Sequence, residues 1–379
     1  MRCSATFWVS GFWACRPNHG STRTFPGGTS CGEADWSASP EGSSGLSGGQ
    51  DSGVRAVVID GYGGPEVLGL QDVPAPEPGP GEVIVEVLAS ALNRADILQR
   101  MGLYPGPPTE YEVPGLEFAG RVCALGDGST RWSEGDEVMG IVAGGAHAER
   151  LSIHQDQAMR LPRGMSPLLA GALPEVFITA WDALVLQGGL VVGGTALVHA
   201  GASGVGTAAI QIGRMVGGEV LVTVSGPKRD RCLDLGATLA VDYRSDDWVA
   251  AVAEHTEGRG VDVVLDVVGG DYLDRNVDAL AIGGTIIQVG VMGGGTARFG
   301  LGKLLPKRAT IVGTVLRARS PEEKIVLSRA FEADVVPGFD EGVLQVVVDR
   351  RYPLSEIADA HRYMETNANV GKIALDVAG

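Results

Sequence analysis

Cysteine is scarce in this 379-residue chain: there are five, and Cys3, Cys15 and Cys31 fall in the first 53 residues, leaving Cys123 and Cys232 for everything after. Two isolated thiols exclude a disulfide framework and a four-cysteine zinc site. They point instead to a reducing compartment, which we read as the cytoplasm. Positive charge is also short. Thirty Lys and Arg stand against 46 Asp and Glu, a net charge of −16, so no basic face is expected for nucleic-acid phosphates. No apolar run reaches the roughly 20 residues of a membrane-spanning helix. Neither nucleic acid nor membrane is therefore an expected partner. The six histidines, at 19, 147, 154, 199, 255 and 361, are scattered and read as surface or packing residues.

What is present divides unevenly. Residues 1–53 hold twenty Gly or Ser, no Lys and three of the six Trp, without helical or strand periodicity. Such a segment buries too little apolar surface to offset its ordering entropy. Its apolar stretch at Phe7–Cys15 is short, interrupted and preceded by one basic residue, Arg2, which does not make a signal peptide. We read it as a disordered extension or a start placed too early, with the functional chain beginning at Val54. The remainder carries 27 basic and 42 acidic residues. Its length suits two domains.

The stretch that organises the chain is Thr195–Gly206. An apolar run ends at His199, and Ala200, Gly201, Ser203, Gly204, Val205 and Gly206 then lead into helical spacing through Met215. Strand, tight turn and helix in that order bring backbone N–H groups at a helix N-terminus up to a phosphate, where the helix dipole favours negative charge. The glycines do not spell a literal G-x-G-x-x-G, so their context decides. A second apolar strand, Glu219–Val224, is followed by Ser225-Gly226-Pro227-Lys228-Arg229, with no carboxylate before Asp230. A free ribose 2′-hydroxyl calls for an acid there, and a 2′-phosphate for a small residue plus cations. This pattern predicts NADPH, held in part by Ser225 and Lys228.

Further apolar strands are expected at Leu239–Val241, Val261–Asp266, Gly284–Val289 and Thr310–Gly313. Apolar strands alternating with helices predict an α/β fold with a Rossmann doubly wound parallel sheet over 174–336. Ligands in such sheets lie beyond the carboxyl ends of the strands, which adds Tyr243, Val268 and Gly290 to the candidates. Upstream, short strands at Arg55–Ile59, Glu82–Leu88, Phe118–Leu125, Glu137–Val142 and Ala146–Ile153 are parted by Gly and Pro. They predict a β-rich barrel over 54–173, completed by 337–379.

Three runs in the barrel, Ala91–Asp96, Gly102–Pro105 and Val113–Gly120, resemble the quinone oxidoreductase branch of the medium-chain dehydrogenase/reductase superfamily. Val198–Gly206, Asp242–Arg244, Gly290–Gly294 and Gly371–Ile373 strengthen the match, which is closest to its p53-inducible quinone oxidoreductase subgroup and runs from Val54 onward. The resemblance implies a GroES-like barrel and an active site in the interdomain cleft. It implies Lys228 and Tyr243 at the adenosine phosphate end, Gly290, Met292 and Gly293 at the nicotinamide end, and a homodimer formed by strand pairing at the edge of the cofactor-binding sheet. Arg317 and Arg319 are weaker candidates that read equally as surface cations. Zinc alcohol dehydrogenases of the superfamily have a Cys near the position of Asn93 and a His within 115–117. Here Leu116 replaces that His and no Cys is near, so no metal is expected.

Such a cleft requires an acceptor that is already electrophilic, and quinones meet that need. Asn93 and Tyr104, with Thr179 near the nicotinamide, are the catalytic candidates. For Tyr104, proton donation and stacking on the ring stand as equal alternatives. The expected activity is NADPH:quinone oxidoreduction. An NADPH-dependent alkenal or enone reductase of the same fold is the nearest rival, and a low-turnover, crystallin-like NADPH-binding protein is the alternative outside enzymology.

Overall fold

The computed structural model describes residues 53–378 apart from Pro105, Pro107 and Pro108, so the expectation for residues 1–53 lies almost wholly outside it. The described chain opens with a two-stranded antiparallel pair, β1 (Val54–Ile59) and β2 (Leu68–Val73). The eleven-residue β3 (Glu82–Leu92) then acts as a hub. Its near-continuous Val, Ile and Leu content is buried on both sides, as fits a strand with neighbours on each edge. After it, Asn93 and Asp96 form a capping box that starts α1 (Arg94–Arg100). Strands β4 (Glu117–Leu125), β5 (Glu137–Ile141), β6 (Arg150–His154) and β7 (Met159–Arg160) continue the barrel, β4 and β6 both pairing antiparallel with β3.

A short α2 (Pro167–Ala170) leads to α3 (Pro174–Trp181), whose opening Pro174 supplies no N–H that would go unbonded. Seven of its eight residues are buried, because it packs on β4 and β5 of the barrel on one side and on the helix Gly204–Met215 on the other. It continues as a π-helical turn, Asp182–Gln187.

The second sheet is wholly parallel. β8 (Thr195–His199), α4 (Gly204–Met215), β9 (Glu219–Val224), α5 (Arg229–Asp234), β10 (Leu239–Asp242) and α6 (Trp248–His255) form its first half. β11 (Val261–Asp266), α7 (Tyr272–Ala279), β12 (Leu280–Gln288), α8 (Leu304–Lys307), β13 (Thr310–Gly313), α9 (Pro321–Asp334) and α10 (Val336–Asp340) form the rest. The order β10-β9-β8-β11-β12-β13 is doubly wound, with its switch point between β8 and β11. Two apolar cores cover its faces, one around α3, α4 and α9 and the other around Trp248.

The chain then returns. β14 (Val348–Pro353), α11 (Ile357–Glu365) and β15 (Lys372–Asp376) join the barrel, β15 pairing antiparallel with β3 and parallel with β14. Residues from 348 onward therefore share the barrel core with residues near 57 and 85.

Candidate functional site

A cavity of about 430 Å³ opens at the switch point, beyond the carboxyl ends of β8, β9 and β11. Ser203, Gly204 and Val205 line it, so the N-terminus of the twelve-residue α4 is presented to it. Ser203 caps that helix, its Oγ accepting from the Gly206 N–H at 3.0 Å. Ala200, before the turn, lines the cavity at a positive φ of 55°.

Two of the three motif glycines serve packing. A Cβ on Gly201 would lie 2.5 Å from the Val222 Cβ, and one on Gly206 only 2.4 Å from the Ala200 carbonyl oxygen. Neither lines the cavity. They set how closely α4 approaches the sheet, while Gly204 stands at the cavity wall.

Ser225, Lys228 and Tyr243 line the end near β9 and β10, and Val268, Met292 and Gly293 line the end near β11. Gly290 stands just outside, its carbonyl accepting from Gln288. The Val268 loop is fixed from beneath. Asp266 Oδ1 accepts from the Val268 and Gly269 N–H groups at 2.6 and 2.9 Å, while its Oδ2 accepts from Asn276 at 2.8 Å. Asn276 Oδ1 is then left to face His199 Nε2 at 2.7 Å, and His199 Nδ1 faces the Thr223 hydroxyl at 2.8 Å. This arrangement assigns the imidazole proton to Nε2. Burial holds the His199 pKa below its ordinary value, so the ring is neutral.

The cavity's charge is one-sided. Arg94, Lys228, Arg244 and Lys372 line it and, among the described residues, no Asp or Glu does. Lys228 Nζ donates to the Asn367 and Asn369 carbonyls, both at 2.7 Å, and Arg94 donates to Asn367 Oδ1 at 2.6 Å. Two cations thus brace the turn after α11. Burial first, with Arg244 and Arg94 adding to it, pulls the Lys228 pKa down.

Asn93 joins this wall and belongs to a buried cluster beneath it. Lys372 Nζ donates to Asn93 Oδ1 at 2.6 Å and to the Leu92 carbonyl at 2.8 Å, and pairs with Glu117 Oε1 at 2.7 Å. Asn93 Nδ2 donates to the same Glu117 oxygen at 2.9 Å, and the Glu175 backbone N–H donates to the other, also at 2.9 Å. Lys372 and Glu117 are 3 % and 0 % exposed, so each depends on the other.

Tyr104 and Thr179 do not line this cavity. Thr179 is buried on α3. Tyr104 sits against Arg317, whose guanidinium lies 5.0 Å from the ring centroid and donates to the Tyr104 carbonyl at 2.9 Å. Arg317 also donates to Gln99 Oε1 and the Ala143 carbonyl. Arg319 pairs with Asp182 at 2.5 Å. Neither arginine is a surface cation. Both tie the segment after β13 to its surroundings.

The residues that sequence reasoning missed at the cavity are Arg94, Arg244 and Lys372. The first two immediately follow Asn93 and Tyr243, so the signal lay one residue away. Lys372 lay within the run Gly371–Ile373, but nothing there pointed to its partner Asn93, 279 positions distant.

Residues 79–187 match the alcohol dehydrogenase GroES-like domain family and 204–332 the zinc-binding dehydrogenase family. The chain is 31% identical over 341 residues to the human synaptic vesicle membrane protein VAT-1 homolog, covering 85% of this chain and 86% of that protein. Among solved structures, the Escherichia coli quinone oxidoreductase complexed with NADPH superposes with a TM-score of 0.76 at 30% identity, over 86% of this chain and 99% of that one. A JamJ enoyl reductase in its apo form gives 0.77 at 25% identity, with coverage of 86% and 99%.

Proposed function

We infer the reaction from a premise that these matches establish: the chain belongs to the quinone oxidoreductase branch of the medium-chain dehydrogenase/reductase superfamily, a family of oxidoreductases. We propose that it is an NADPH-dependent, zinc-independent quinone oxidoreductase. One observation carries the choice of cofactor. In a chain of net charge −16, the described residues that line the switch-point cavity include four cations and no carboxylate. A pyrophosphate suits the N-terminus of α4, and a 2′-phosphate suits the end where Ser225, Lys228 and Arg244 converge. Lys228 has three N–H donors and spends two on carbonyls, leaving one for an anion. When bound, the dihydronicotinamide supplies the hydride, and the protein's task is to hold it, seat the acceptor and manage the proton.

Zinc does not fit this donor set. The acceptors beside Asn93 already carry the Lys372 ammonium, and Leu116 offers no ligand atom. A catalytic zinc takes three protein ligands with one position open.

The testing experiment compares NADPH and NADH binding to Lys228→Ala. NADPH affinity is expected to fall by roughly 10-fold or more, a loss of about 1.4 kcal/mol, with little change for NADH. Equal losses would overturn the cofactor assignment. Similarity to an enoyl reductase supports a second reading, reduction of activated double bonds. Turnover of 1,2-naphthoquinone against 2-alkenals with NADPH separates the two.

A homodimer is supported by the sheet's edge. Among the described residues β13 pairs only with β12, and Ile311 on it and Leu301 and Leu305 before it are exposed. Among the described residues no helix is long and apolar enough to cross a membrane. The reducing compartment implied by two free cysteines supports a cytoplasmic location.

A further inference from the structure

One cation of the switch-point cavity has no task in the cofactor reading above. Arg94 opens α1 in the barrel, whereas Lys228 stands between β9 and α5 of the parallel sheet. A single residue joins them. Arg94 Nη2 donates to Asn367 Oδ1 at 2.6 Å, and Lys228 Nζ donates to the backbone carbonyl of the same Asn367 at 2.7 Å. Both cations line the cavity, and so does Asn367. Asn367 lies in the turn after α11 at a φ of 54°, a left-handed conformation that asparagine tolerates better than most residues. Two lobes of the molecule thus bring a guanidinium and an ammonium to one point on the cavity wall.

Neither charge is answered there. Among the described residues, every hydrogen bond from these two side chains ends on an uncharged oxygen, the others being the Met364 and Asn369 carbonyls. Glu365, whose charge Arg94 feels, is paired with Arg100 instead. Both Arg94 bonds use Nη2, which leaves the Nε and Nη1 hydrogens of the guanidinium, and Lys228 keeps one donor of three. Arg94 is half-buried. Burial is the first cause that lowers the pKa of each, and the charge of Arg94 adds to the lowering of Lys228. Two partly desolvated cations so placed repel each other, and a dianion between them relieves both.

We propose that Arg94 is a specificity-determining residue, which takes the 2′-phosphate of NADPH together with Lys228 in a grip shared between the barrel and the parallel sheet. The inference rests on the NADPH reading and deepens it. A guanidinium with free N–H groups on two nitrogens matches a phosphate better than a second ammonium would. A cofactor without the 2′-phosphate leaves Arg94 idle, so the barrel itself takes part in telling the two cofactors apart.

The test uses the full chain as wild type, Arg94→Gln, Arg94→Lys, Lys228→Ala and Asn367→Gly, with binding read by calorimetry and no acceptor present. Adenosine 2′,5′-bisphosphate carries the phosphate in question and 5′-AMP lacks it; NADPH and NADH repeat the comparison with whole cofactors. Arg94→Gln is expected to weaken NADPH and the bisphosphate about 10-fold or more, the size of a hydrogen bond between charged groups, and NADH and 5′-AMP less than about 2-fold. Retained NADH binding shows that the variant is folded. Arg94→Lys should recover part of the loss. Asn367→Gly removes the oxygen that Arg94 braces and accepts the positive φ, so it should keep the preference for NADPH. Unaltered NADPH affinity in Arg94→Gln, losses alike with and without the 2′-phosphate, or an Asn367→Gly loss as large as that of Arg94→Gln overturns the proposal, even where Lys228→Ala still discriminates. If wild type shows no preference for NADPH over NADH, the cofactor reading itself falls and the role of Arg94 with it.

Discussion

Replacing Glu175 with Gln should stabilise the protein, and by an amount that depends on pH. A carboxyl raised in the folded state from its ordinary 4.5 to about 8 binds its proton more tightly folded than unfolded. Stability is therefore undiminished below the ordinary value, is lost steadily as pH rises from about 4.5 to about 8, and is level above that. At pH 7 about 2.5 units of this interval have been crossed. At about 1.4 kcal/mol per unit, the wild type then carries a penalty of about 3.5 kcal/mol that an uncharged amide escapes. Urea unfolding of both proteins at pH about 4.5, 6 and 8 measures it. The expected gap is near zero at the first pH, about 2 kcal/mol at the second and the largest at the third. A gap that does not change with pH would refute the reasoning, because it would mean that Glu175 titrates alike in the folded and unfolded chain.

Other outcomes follow from the same geometry. Lys372→Met should destabilise by about 3 to 5 kcal/mol by leaving Glu117 buried without its cation, and Glu117→Gln in the same chain should recover much of that loss in denaturant melts. Gly206→Ala should lower the melting temperature and weaken NADPH binding together, since its Cβ would lie 2.4 Å from a carbonyl oxygen; full cofactor affinity in this variant would contradict the packing role. Prolonged chelation should leave quinone turnover unaltered, and a loss restored by zinc would overturn the zinc-independent reading. Ile311→Asp, at the free edge of β13, should shift the species seen by analytical ultracentrifugation to monomer, and no shift would exclude that edge as the interface.

The parallel sheet was legible because its strands are continuous apolar runs, and Thr310–Gly313 coincides with β13. The strand, turn and helix around Gly201 were legible because the order of residue types is itself the mechanism. The division of labour among the glycines was not, since nothing local distinguishes Gly204, at the wall, from Gly206, under a carbonyl. Lys228 was marked by its position after β9, but its two carbonyl partners come from a turn some 140 residues later. Glu175 shows the limit most plainly. An acid after Pro174 reads as an ordinary first-turn residue placed to favour the helix dipole. Its character comes from Glu117, Asp96, Lys324 and Lys372, which four other elements bring to it.

The return of β14 and β15 to the barrel bears on how the polypeptide is made. The parallel sheet is complete in sequence before either strand leaves the ribosome, so a nucleotide-binding lobe emerges beside an unfinished shell whose hub strand still has an open edge. That edge and its apolar lining wait through the synthesis of some 280 residues between β3 and β15, an interval in which a chaperone, or another nascent copy, has its best opportunity to bind. Only when β15 closes against β3 does Lys372 reach Asn93 and Glu117, so the barrel and the catalytic cleft mature in one late step.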